Sequence, residues 1–233
     1  MSRLNQMKFR KVTHVIFDMD GVLLDTEDLY SKAFQNILSQ YGKNFDWPLK
    51  LEIMGRIGRD IAKYIIDKLN LPITEDEWLE MSQKELEKIM PQCEVTPGAK
   101  KLVTHLHENN IPIAVATSSG ADSFKIKSER HKEFFKIFSH IICGGTDPNV
   151  KNGKPAPDIF LHCASLFPNA PNPNSCLVFE DSPNGVTAAV KAGMHCVMIP
   201  DENVPEDLRK DADVIVKSLD ETDLSLFGLP PFK

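Results

Sequence analysis

Val15-Ile16-Phe17-Asp18-Met19-Asp20-Gly21-Val22 is the stretch from which the architecture follows. An apolar run ends in two aspartates one residue apart, and a glycine comes at once. Side chains alternate faces along a strand, so Asp18 and Asp20 leave it on the same side. A strand apolar on both faces suits a parallel sheet, whose ligands gather beyond the strands' carboxyl ends. Two carboxylates there repel each other unless a cation or a shared proton intervenes. The pair therefore reads as a divalent-metal site or as a nucleophile beside an acid/base. Taken alone, it also reads as an ordinary strand end followed by an Asp-Gly turn.

Working outward, strand-like apolar runs recur at residues 12–18, 111–117, 140–143, 175–179, 196–199 and 214–216. Helical spacing fills 98–109, 124–138, 157–167 and 183–192 between the later ones. This alternation predicts an α/β fold with a doubly wound parallel sheet. One stretch breaks it. Between residues 27 and 95 no convincing strand occurs. Thr26 is placed to cap a helix through Leu29, Ala33, Phe34, Ile37, Leu38 and Tyr41. Further helical patterns cover 57–69 and 75–90, with Thr74 and Glu77 spaced as a capping box. Pro97-Gly98 marks the return to alternation. The expected organisation is a core domain of residues 1–26 and 96–233 with a helical cap domain, 27–95, inserted beside Asp18 and Asp20. A mobile lid at that point admits substrate and then excludes water.

A chain of 233 residues can bury a large core. The formal charge is -6 and long Lys/Arg runs are missing, which excludes nucleic acid and anionic membrane as main partners. Positive charge for a phosphate ligand must then be local. The five cysteines are scattered, with no Cys-x-x-Cys, so a zinc site is disfavoured and a reducing, cytoplasmic setting is expected. Residues 1–11 are polar and basic, without an apolar signal core. Monomer or weak homodimer is the expected state.

Four segments at predicted strand ends carry the chemistry. They are Asp18-Met19-Asp20-Gly21, Thr117-Ser118-Ser119-Gly120, Gly153-Lys154-Pro155, and Glu180-Asp181-Ser182-Pro183-Asn184-Gly185. Separately, each has a plain explanation: a turn, a helix cap, a solvated lysine, a helix start with proline in its first turn. Together they supply oxygen ligands suited to Mg²⁺. They also supply hydroxyl, N–H and ammonium donors for a phosphoryl group, and a carboxylate nucleophile.

In their order and residue types these motifs resemble the haloacid dehalogenase-like phosphatases with a helical cap between the first and second motifs. The likeness spans nearly the whole chain. It is strongest to the pseudouridine-5'-phosphatase branch, through residues 116–120, 128–135, 179–186 and 226–230. The resemblance implies Asp18 as nucleophile and metal ligand, and Asp20 as acid/base whose backbone carbonyl also binds Mg²⁺. It implies Thr117, the Ser118 N–H and Lys154 as phosphoryl-binding groups and Asp181 as the remaining metal ligand, with Glu180 a lesser one. Arg56 and Arg59 are candidates for selecting the leaving group, although both also read as solvated helix-end charges. His105, His107 and His131 receive no role. The implied activity is Mg²⁺-dependent hydrolysis of a small phosphomonoester through an aspartyl-phosphate, with pseudouridine 5'-phosphate as substrate. The alternatives are glycerol phosphate or a sugar phosphate, or a sugar phosphomutase, which carries a histidine where this chain has Tyr30. A phospho-accepting signalling module is the non-enzymatic alternative, and a dehalogenase is disfavoured because it lacks the second aspartate.

Overall fold

In the computed structural model, which describes residues 9–232, six parallel strands form one sheet in the order β3-β2-β1-β4-β5-β6. They are β1 His14–Phe17, β2 Ile113–Thr117, β3 Ile141–Cys143, β4 Cys176–Glu180, β5 His195–Met198 and β6 Val214–Ile215. All six lie on the apolar runs predicted from sequence. β1 is central. It pairs with β2 through Phe17↔Val115 and with β4 through Phe17↔Phe179. The chain winds from β1 to β3 on one side and from β4 to β6 on the other. The reversal lies between β1 and β4, the place where such sheets bind ligands.

Alternation along β1 builds two core layers. Val15 and Phe17 pack with Leu102, Leu106, Phe135 and Phe227 on one face. Ile16 packs with Phe160, Cys163, Val186 and Ala189 on the other. The helices covering these faces are α5 Ala99–Glu108, α6 Ala121–Ser128, α7 Lys132–Phe135, α8 Asp158–Ser165 and α9 Pro183–Lys191. The single helix expected over 124–138 is instead α6 and α7 separated by a 3₁₀ turn, Glu129–His131. His131 Nε2 meets the Cys93 carbonyl oxygen at 2.8 Å, which ties that turn to the chain leaving the helical stretch.

Four helices lie between β1 and α5: α1 Glu27–Ser39, α2 Trp47–Ile53, α3 Gly58–Leu69 and α4 Glu75–Ile89. They surround their own apolar cluster of Phe34, Ile37, Leu49, Ile65, Trp78 and Leu86. The chain enters and leaves this stretch side by side, with Leu24 bridging Val95 antiparallel. Thr74 and Glu77 form the expected capping box of α4. Thr26 does not cap α1. Its backbone is helical (φ -109°, ψ -12°) rather than extended as a cap requires, and its hydroxyl donates to Asp20 Oδ1 at 2.7 Å. Helix α2 was not anticipated.

Residues 1–8 of the expected core, with most of its polar, basic leading segment, and Lys233 lie outside the described residues. Among the described residues no helix is long and apolar enough to cross a membrane. The five cysteines are free thiols, with Cys176 and Cys196 buried in the core as expected and Cys143 partly buried.

Candidate active site

Asp18 is the residue after β1, and Glu180 ends β4 beside it. The register across the reversal makes them neighbours, with the Asp18 N–H donating to the Phe179 carbonyl at 2.9 Å. Lys154 arrives from the loop before α8 and fills the space between them. Its ammonium donates to Asp18 Oδ1 at 2.5 Å, to Glu180 Oε1 at 2.6 Å and to the Ala116 carbonyl at 3.3 Å. The lysine side chain is fully buried, so the reading of Lys154 as a solvated surface charge fails. Burial disfavours its charge, but the two carboxylates outweigh that and hold its pKa above the ordinary lysine value.

Both Glu180 oxygens are taken by protein donors. Oε1 receives Lys154, and Oε2 receives the N–H groups of Asp181 and Ser182 and the Ser182 hydroxyl, each at 3.0 Å. Glu180 therefore anchors Lys154. Helix α9 starts so close that a Cβ on Gly185 would overlap the Glu180 carboxylate. Asp181 differs: among the described residues its carboxylate has no hydrogen-bond donor. Burial, then the charges of Glu27, Glu180 and Asp18, push the Asp181 carboxyl well up, against the pull of Lys154. Asp18 is pushed up to about 7, first by burial and then by Glu180 and Asp20, with Lys154 opposing.

Lys154 is a single positive charge shared between Asp18 and Glu180, and Asp181 has no cation of its own among the described residues; a divalent cation supplies the missing charge. The residues fit Mg²⁺: hard oxygen donors, an Asp181 carboxylate no protein donor occupies, and a Gly21 without the side chain that would overlap it. Among the described residues no three His, Cys, Asp or Glu side chains form a metal-ligating group. That agrees with a set of two carboxylates and a backbone carbonyl, completed by water and substrate, since Mg²⁺ seldom takes an all-protein cage.

Asp20 has a separate setting. It receives Thr26 at 2.7 Å, Ser119 Oγ at 3.0 Å, Thr117 Oγ1 at 3.4 Å and Lys127 Nζ at 2.6 Å on each oxygen. Burial works to raise its pKa, but Lys127 and the hydroxyls win and hold it below the usual carboxylate value. Thr117, at the end of β2, also accepts the Ser119 N–H at 3.1 Å. The Ser118 hydroxyl reaches across to the Gly55 carbonyl at 2.8 Å, and Asn184 donates to the Met54 carbonyl at 2.8 Å. The loop between α2 and α3 is thus held down over the strand ends.

Above Asp18, Asp20 and Asp181 opens a cavity of about 420 Å³, walled partly by Tyr30, Phe34, Phe45 and Trp78. Arg56 lines it, with its guanidinium 5.1 Å from the Tyr64 ring and 3.7 Å from Glu52. Arg59 also lines it, exposed and bound to Glu75 at 3.0 Å and Asp76 at 2.7 Å on the first turn of α4. Two residues at this site were not singled out from sequence: Lys127, and Glu27, which pairs with Lys50 at 3.1 Å; Ser119 lay within a quoted segment but was given no role of its own. His105, taken as a surface residue, is partly buried and meets the Pro230 carbonyl at 2.9 Å, tying down the C-terminal tail.

Comparison with known proteins places this arrangement. A family model described as haloacid dehalogenase-like hydrolase matches residues 15–199. A Drosophila melanogaster protein described as a probable pseudouridine-5'-phosphatase is 45% identical over 96% of this chain and 96% of its own. The (DL)-glycerol-3-phosphatase 2 of Arabidopsis thaliana is 41% identical over 95% of this chain and 93% of its own. Among solved structures, the β-phosphoglucomutase of Clostridium difficile shares the fold, with a TM-score of 0.74 at 24% identity over 92% of this chain and 94% of that one.

Proposed function

Because the chain belongs to the haloacid dehalogenase-like hydrolases, as a phosphoric monoester hydrolase of small phosphorylated metabolites, we propose that it is a Mg²⁺-dependent phosphatase acting through an aspartyl-phosphate on Asp18. The supporting observation is the Lys154 ammonium locked between Asp18 and Glu180. It fixes a buried carboxylate at the mouth of a cavity, ready to attack rather than to pair with solvent. The Asp18 carboxylate attacks phosphorus, and the ester bond to the leaving oxygen breaks. Asp20, an ionised carboxylate in this setting, takes up the proton that a phosphomonoester monoanion brings to the site and passes it to that oxygen. The resulting Asp20 carboxylate then takes a proton from water, whose oxygen attacks the acyl-phosphate phosphorus and frees inorganic phosphate and Asp18. Thr117, the Ser118 N–H and Lys154 bind the phosphoryl oxygens as charge builds on them. Asp18, Asp181 and the Asp20 carbonyl hold the metal, which neutralises the carboxylates and phosphoryl oxygens.

Residues 27–95 act as the cap that chooses the leaving group. A cavity of about 420 Å³ with aromatic walls suits a ring-bearing nucleoside better than glycerol, which has no apolar face. Pseudouridine 5'-phosphate is therefore the proposed substrate, and the identity to the Drosophila melanogaster protein supports it. Glycerol 3-phosphate is the second reading, favoured by the Arabidopsis thaliana relative. The mutase reading is weaker, because Tyr30 stands at the hinge and its hydroxyl accepts from Lys127 at 3.1 Å.

The test is a kinetic screen over nucleotide, sugar and polyol phosphates, with Mg²⁺ and with EDTA, ranked by kcat/KM. We expect phosphate release only with the metal, fastest from pseudouridine 5'-phosphate. No release from any member with Mg²⁺ would end this reading.

A further inference from the structure

One buried charge at the site has no part in the chemistry above. Lys127 lies in the last turn of α6, two residues from the exposed Lys125, yet its side chain has no solvent exposure. Its ammonium donates to both Asp20 oxygens at 2.6 Å, to Ser119 Oγ at 2.6 Å and to the Tyr30 hydroxyl at 3.1 Å. Those partners come from three places: the end of β1, the loop after β2, and helix α1. Thr26 and Ser119 donate to the same carboxylate. Asp20 is thus gripped by side chains from three segments of chain: residue 26, residues 117–119 and α6.

Stability alone is a poor reason for this arrangement. Desolvating a lysine and an aspartate costs about as much as their attraction returns, and apolar replacements often do better. A proton-transfer group has a stricter need. It must meet the leaving oxygen in a narrow geometry, and a displacement of about 1 Å costs on the order of 100-fold in rate. The Asp20 side chain has rotational freedom that three neutral hydroxyls restrain weakly, and a charged donor reaching both oxygens removes it.

We propose that Lys127 is a positioning residue: it fixes the Asp20 carboxylate for proton transfer to the leaving oxygen and, through Tyr30, links that position to α1. Lys127 keeps its own proton throughout. The inference rests on the reading of Asp20 as acid/base.

The experiment compares two substrates that differ in their need for that proton. K127M is checked for folding by thermal melting, then taken through single turnovers by rapid quench, following release of the leaving group. One substrate is an alkyl phosphate and the other p-nitrophenyl phosphate, whose leaving group departs without protonation. For the alkyl ester the first step should slow by about 100-fold with KM changed less than about threefold, while p-nitrophenolate release stays within about threefold of wild type. Equal losses on both substrates, or none, would overturn the inference. If K127M does not fold, the double variant Y30F/S119A takes the same test, keeping the ammonium but removing two of its partners. A selective loss of about tenfold is expected there, and an unselective one refutes. D20N separates the two ideas. A selective loss in D20N without one in K127M sinks the Lys127 inference alone. D20N as active as wild type on both substrates sinks the reading beneath it.

Discussion

Asp18→Asn should make the metal-free protein more stable, by a margin that grows as pH rises from about 4 to about 7. The Asp18 carboxyl is raised from 3.8 to about 7, first by burial and then by Glu180 and Asp20, with Lys154 opposing. An acid whose folded pKa lies above its unfolded one binds more protons in the native state across that window. Stability therefore falls as pH rises from about 4 to about 7 and stays lowered above it. At roughly 1.36 kcal/mol per unit, the full cost of ionising Asp18 is about 4 kcal/mol, an upper bound because Lys154 and water relax around it. Asp181 acts in the same direction. His14 and His140, whose pKa values burial lowers, act oppositely just below 6.5, so the difference between variant and wild type is the quantity to follow. In EDTA the two proteins should unfold alike near pH 3, and the difference should grow between about pH 4 and pH 7. At pH 8 the Asp18→Asn protein should melt higher, by up to about 10 °C for a chain of this length. Saturating Mg²⁺ at 100 times Kd should return about 2.7 kcal/mol to the wild type and close much of the gap. Calorimetry at both pH values checks this. A pH-independent difference, or a variant less stable than wild type at pH 8 in EDTA, would refute the reasoning.

Gly185→Ala puts a methyl group into the Glu180 carboxylate; displaced Glu180 releases Lys154, and steady-state assays should show kcat/KM down by about 100-fold. Thr74→Ala removes the capping box of α4 and should cost about 1 kcal/mol in denaturant unfolding, with kcat nearly unchanged. Paired removal of the Ser118 hydroxyl and the Asn184 amide frees the Gly55 and Met54 carbonyls. It should raise KM more than it lowers kcat, measured on the best substrate of the screen.

Much of this was legible in the chain because the parallel sheet advertises itself. Uninterrupted apolar runs mark all six strands; Asp18, Thr117 and Glu180-Asp181 fall at their carboxyl ends, and Lys154 reaches them from the loop before α8. Local patterns failed where long-range contacts decide. Helix α2 is seven residues with a proline in its first turn, too short for periodicity to show. The break between α6 and α7 interrupts an apolar pattern that runs straight through it, since the turn is held by the distant Cys93 carbonyl. Lys127 was unreadable for a related reason. A lysine two places from another on a polar helix reads as solvated, and its burial comes from Asp20, Ser119 and Tyr30 converging from elsewhere. Thr26 had the residue type and position of a cap, but its backbone is helical rather than extended and its hydroxyl turns to the Asp20 carboxylate.

The account turns on phosphorus passing through the Asp18 side chain. Mass spectrometry of Asp20→Asn protein, quenched in acid after incubation with Mg²⁺ and a reactive phosphoryl donor, should find one phosphoryl group on the peptide spanning residues 12–32, placed at Asp18 and labile to hydroxylamine. An unmodified peptide, or a phosphoryl group on another residue, would contradict it.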